Sequence, residues 1–89
     1  MTRYNLILPD LGLGDQPIVA GLWLVARGRR VAAGEPVLEI LAGSAVVDLP
    51  APADGRLVET LVDEDTPLQT GQRLAVIESD PGGEPIGRE

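Results

Sequence analysis

The chain has 89 residues, enough for one small domain, and its net charge is −7 from 14 acids and 7 basic residues. Every basic residue is arginine, and there is no lysine, histidine or cysteine. These absences exclude thiolate or imidazole metal centres, histidine-based triads, P-loops, lysine Schiff bases and disulfides.

The acidic balance is ill suited to gripping nucleic acid phosphates. No apolar run approaches the roughly 20 residues of a bilayer span. The start, Met1-Thr2-Arg3-Tyr4, lacks the apolar stretch of a signal peptide. The expected setting is soluble and cytoplasmic, with neither a membrane nor a nucleic-acid partner.

Eleven glycines and eight prolines punctuate the chain, and Arg56–Thr66 is the longest stretch free of both. Most apolar pieces are therefore strand-sized. In chain order they are Tyr4–Leu8, Ile18–Val25, Pro36–Leu41, Ala45–Leu49, Arg56–Val62 and Arg73–Glu78. The fifth piece is ambiguous: Leu57, Val58, Leu61 and Val62 suit one helix face or a strand buried on both sides. An internal repeat decides for the strand. A shift of 37 residues lays Leu24 on Leu61, Val25 on Val62, Val31 on Leu68, Gly34 on Gly71, Val37 on Leu74 and Ile40 on Ile77. The first copy contains the β-branched run Ile18–Val25, a poor helix. Two halves of about four short strands predict an all-β flattened barrel with pseudo-two-fold symmetry.

Ala42-Gly43-Ser44-Ala45 joins the halves as a hairpin turn with Ser44 at or beside its tip. Pro50-Ala51-Pro52-Ala53-Asp54-Gly55 predicts a stiff, extended connector. Gly12, Gly14, Gly28, Gly34, Gly55 and Gly71 fall at strand ends, where turns use positive φ, and form no nucleotide fingerprint. The domain is expected to span residues 1–79. Residues 80–89, rich in Gly, Pro and Glu, are linker-like and expected to be a flexible tail.

Charge divides unevenly. Residues 1–43 hold four acids and four arginines, whereas residues 45–89 hold ten acids and three arginines. Solvation of the surface is the simpler explanation, and steering of a basic partner the sharper one. Asp63-Glu64-Asp65 lacks the ligand spacing of a calcium loop and is expected to be a solvated turn. Arg27, Arg29 and Arg30 flank Gly28 on the equivalent turn of the first half. They are expected to be solvated, and a head-to-tail contact between the basic and acidic turns is the sharper alternative. Trp23 lies within an apolar strand and is expected to pack on the core. Asp10 and Asp48 are expected at exposed turns, with no paired-carboxylate geometry. Ser44 has no His or Lys to serve as its base, so nucleophilic catalysis is not expected.

A longer pattern runs through these residues. Leu8-Pro9-Asp10-Leu11-Gly12-x-Gly14 is similar to L-P-D-I-G-E-G, the opening of the lipoyl domains of 2-oxo acid dehydrogenase complexes. Trp23, then Gly28 and Val31, follow at that family's spacing. Ala45-Val46-Val47-Asp48-Leu49-Pro50-Ala51-Pro52 resembles its A-V-V-E-I-P-S-P, and Gly55, Leu61-Val62 and Gly71-Gln72-Arg73-Leu74 complete the series. The resemblance runs from Leu8 to Glu78 without a gap and covers about four-fifths of the chain. It implies the lipoyl/biotinyl barrel of two four-stranded sheets.

In that family the hairpin reads T-D-K-A, and the lysine carries lipoate on a swinging arm. Here Ser44 stands at the lysine position, flanked by Gly43 and Ala45, and a serine hydroxyl cannot form that amide. The Ala45-Val46-Val47 context is lipoyl-like rather than biotinyl-like. The resemblance thus implies a non-catalytic, degenerate carrier with no cofactor and no metal. Its expected role is docking or regulation, with a dehydrogenase or acyltransferase component as protein partner. The alternatives are a carrier with a different group on Ser44, or a structural adaptor barrel in a transport assembly.

Overall fold

A computed structural model describes residues 2–79. Among these, eight strands form and no helix: β1 Arg3–Ile7, β2 Ile18–Trp23, β3 Arg30–Val31, β4 Pro36–Ala42, β5 Ala45–Pro50, β6 Gly55–Thr60, β7 Pro67–Leu68 and β8 Arg73–Glu78. They make two antiparallel sheets, ordered β1-β8-β6-β3 and β5-β4-β2-β7. Six strands fall where the residue pattern puts them. The two-residue strands β3 and β7 were not among the expected pieces, because two residues cannot display a period.

Alternation within the strands sets the faces. In β4, Leu38, Ile40 and Ala42 are buried, while Glu39 is half-buried and Leu41 exposed. In β5, Leu49 is buried and Val47 half-buried between exposed Val46 and Asp48. The core between the sheets gathers Leu6, Leu8, Leu38, Ile40, Leu57, Leu74 and Ile77 with smaller Ala and Val side chains. Branched and straight aliphatics alone fill it, apart from the half-buried Trp23 packed at its edge.

The 37-residue repeat is a structural two-fold that holds bond by bond. Leu24 N donates to Val37 O at 2.8 Å, and its equivalent, Leu61 N, donates to Leu74 O at 2.9 Å. The pair Ala20 N to Thr66 O has its counterpart in Leu57 N to Arg29 O, both at 2.9 Å. Asp65 N to Ala20 O at 2.8 Å mirrors Gly28 N to Leu57 O at 2.7 Å. Register shifts also fall at equivalent places, after Ala20 in β2 and after Leu57 in β6, and again where β4 pairs with β5 and β8 with β1. The operation exchanges β1 with β5, β8 with β4, β6 with β2 and β3 with β7, which turns one sheet into the other.

Two expectations are corrected. Gly12, Gly14, Gly28, Gly34 and Gly71 do have positive φ, but Gly55 does not. It is the buried first residue of β6, and a β-carbon there would run into the Glu78 carbonyl group. Close approach of backbones, not a turn, requires this glycine. Asp48 is exposed as expected but lies within β5 rather than in a turn. The expected tail, residues 80–89, lies outside the described residues.

Candidate functional site

The hairpin between the halves is a two-residue connection. Ala42 pairs with Ala45, leaving Gly43 and Ser44 as the loop. Gly43 has φ of 61°, and Ser44 is not among the positive-φ residues. Positive φ at the first loop position alone is the pattern of a type II′ turn, which matches the twist of the strands it joins. Leu41–Val46, Ile40–Val47 and Glu39–Asp48 continue the pairing below it. The tip is therefore short and fixed, with Ser44 exposed at its second position.

The long β1–β2 loop supports one side of the tip. The Asp10 carboxylate accepts a hydrogen bond from Gly12 N at 2.9 Å, a local turn closed by the side chain. Further along, Pro17 O accepts from Gly43 N at 3.3 Å. The Gln16 amide lies where a β-carbon on Gly43 would stand. Gln16 and Pro17, which follow the L-P-D-L-G-x-G segment, thus bring the end of this loop against the hairpin.

The Ser44 hydroxyl has no hydrogen-bond partner among the described residues. The hydroxyl projects from the tip as an exposed polar group. Among the described residues no three acidic side chains converge to hold a metal ion.

The other singled-out residues have structural partners. Trp23 Nε1 donates to Val62 O at 3.1 Å, and Trp23 N donates to the Glu64 carboxylate at 2.9 Å. Glu64 is therefore tied to the backbone of β2, and Asp65 supplies the turn with φ of 67°. On the equivalent turn Gly28 takes that place with φ of 96°. The guanidinium of Arg56 donates to Gly28 O at 2.7 Å. Arg27 and Arg29 are exposed. The two-fold places the arginine turn and the acidic turn at equivalent corners of the fold rather than side by side.

One feature escaped the residue-by-residue reading. On the outer face of the second sheet Pro67, Val19, Leu41 and Val46 stand in register across all four strands. They lie one step below the Ala42–Ala45 pair. Only the cross-strand register reveals them, because they are scattered over 49 sequence positions, from residue 19 to 67.

Comparison with known proteins agrees with this geometry. Residues 5–77 match the biotin/lipoyl family model described as "Biotin-requiring enzyme". Over 70 residues, 79% of this chain, it is 34% identical to the dihydrolipoyllysine-residue acetyltransferase component of the pyruvate dehydrogenase complex of Corynebacterium glutamicum. It is 28% identical over 72 residues, 81% of this chain, to the dihydrolipoyllysine-residue succinyltransferase component of the 2-oxoglutarate dehydrogenase complex of Bartonella vinsonii subsp. berkhoffii. These matches span 10% and 18% of those longer relatives. Two antiparallel four-stranded sheets, a fixed hairpin between symmetric halves and a match over most of its length establish that the chain belongs to the biotinyl/lipoyl domain family.

Proposed function

We propose that this chain is a degenerate carrier domain, non-catalytic and without a bound cofactor. In this reading it acts as a docking or regulatory module in a 2-oxo acid dehydrogenase-type assembly. The observation that carries the reading is the hairpin tip. The exposed second loop position, where the family pattern calls for lysine, holds Ser44, and the sequence has no lysine anywhere. Conversion of a rigid projecting corner from an arm-bearing site to an unmodified one leaves the barrel and its surfaces intact. Kinship with acyltransferase components of two dehydrogenase complexes supports a component of such an assembly as the partner.

The test is the intact mass of the chain purified from its own host. The expected mass is that of the bare polypeptide, with or without Met1. A stoichiometric adduct mapped to Ser44 overturns the reading. The chain is then a carrier with an exchanged attachment chemistry, and the adduct mass identifies the group.

A further inference from the structure

The two-fold sets up a comparison that the fold itself does not require. On the outer face of the first sheet, Arg3, Glu78, Arg56 and Arg30 stand in one cross-strand row. The guanidinium of Arg3 binds Glu78 at 3.1 Å and Glu59 at 3.2 Å. Their equivalents on the second sheet are Val46, Leu41, Val19 and Pro67, in the same order. Glu59 has Leu22 as its counterpart. Every charged position of the first row is apolar in the second. Val46 is 60% exposed, Leu22 55% and Leu41 36%. The first sheet demonstrates that this backbone accepts charge at these positions, so folding does not demand the apolar row.

The next row reverses the pattern. Glu39 and Asp48 are direct cross-strand partners on the second sheet, a like-charge pairing that weakens a sheet. Their equivalents on the first sheet are the uncharged Val76 and Asn5. Strands β2, β4, β5 and β7 carry no arginine. The second sheet therefore presents an apolar strip bordered by two carboxylates with no basic residue, directly beneath the hairpin.

We infer that this outer face is a docking surface for a partner protein presenting an apolar patch bordered by lysine or arginine. The inference rests on the docking function proposed above and names the surface and the chemistry of its partner. Charge decides against a second copy as the occupant. Two copies packed face to face bring Glu39 and Asp48 of each against those of the other, with no arginine on the sheet to offset them. A basic border on the partner instead relieves the repulsion between Glu39 and Asp48 while the apolar strip is covered.

The test uses the full chain against the pyruvate dehydrogenase and 2-oxoglutarate dehydrogenase complexes purified from the organism that makes it. The triple variant Val19→Arg, Leu41→Glu, Val46→Arg installs the residues of the equivalent row on the first sheet. It is expected to keep the far-ultraviolet spectrum and cooperative melt of the parent. Affinity for one complex falls at least tenfold, about 1.4 kcal/mol. Glu39→Lys with Asp48→Lys lowers it several-fold and flattens its salt dependence, while Arg27→Glu with Arg29→Glu leaves it unchanged. Equal binding by the parent and the folded triple variant overturns the surface and leaves the docking function standing. Failure of the parent to bind either complex overturns the docking function itself. Sedimentation that shows a dimer of the parent and a monomer of the triple variant assigns the face to a second copy and overturns the inferred partner.

Discussion

Ile18 and Gly55 occupy the same place in the two halves, and so do Gly28 and Asp65. The backbone bonds around these positions repeat almost ångström for ångström, yet the residues do not. The two halves thus distinguish what the fold requires from what each copy has adapted to locally. Shared by both are the bulge after Ala20 or Leu57, the positive-φ glycine at Gly34 or Gly71, and the buried isoleucine at Ile40 or Ile77. Specific to one copy are the close approach at Gly55, the left-handed aspartate at Asp65 and the composition of the outer rows. The backbone frame is common to both halves, while the residues vary at corners, on outer surfaces and, at Ala20 and Leu57, within the core.

The sharpest way to break the equivalence is at the close approach of Gly55 to β8. Gly55→Val places side-chain atoms against the Glu78 carbonyl and is expected to cost about 3 kcal/mol or more, or to prevent folding. Ile18→Gly, at the equivalent site, is expected to cost less, and urea titrations of the two variants compare them directly. Similar losses at both sites argue that Gly55 is not a close-approach position. In the core, Leu57 is fully buried where the other half has Ala20. Leu57→Ala is expected to lose about 3 kcal/mol, with the midpoint shifting at nearly constant slope. A loss below about 1 kcal/mol means that the surrounding side chains collapse onto the site.

Smaller effects sharpen the comparison at the paired turns. Asp65→Gly removes a non-glycine left-handed residue and is expected to stabilise by roughly 0.5–1 kcal/mol. Gly28→Asp is expected to destabilise by a similar amount, and thermal melts read both. The smallest change is expected at the hairpin, where the exposed, unbonded Ser44 gives Ser44→Ala a stability within about 0.5 kcal/mol of the parent. A larger loss there assigns the hydroxyl a structural task.

Much of the frame is visible in the residues because both copies carry it. The 37-residue offset that aligns Gly34 with Gly71 and Ile40 with Ile77 also identifies Leu57–Val62 as a strand region, and β6 occupies Gly55–Thr60. Ser44 was legible as well, since small residues around a Gly between apolar runs mark a turn. Gly55 was not, because a glycine at a turn and a glycine pressed against the backbone of a neighbouring strand look alike until their neighbours are known. Strands β3 and β7 escaped notice because two residues cannot show alternation. The outer row depended on register: Val19, Leu41, Val46 and Pro67 come from four separate segments, and pairing alone brings them together.

The two-fold also relates the hairpin to the place where the described chain begins and ends. Ser79 is the equivalent of Ala42. Its amide donates to Thr2 O at 2.8 Å, and its hydroxyl accepts from Thr2 N at 3.2 Å. The corner that Gly43 and Ser44 close covalently at one end is closed at the other by side-chain and backbone bonds alone. The two-fold therefore makes the Gly43–Ser44 corner an equivalent place to open the polypeptide. A circular permutant that runs from Ser79 into Thr2 through a two-residue turn, and opens between Gly43 and Ser44, keeps every sheet bond described here. Between Thr2 and Ser79 it exchanges which corner is joined covalently and which is held by hydrogen bonds alone.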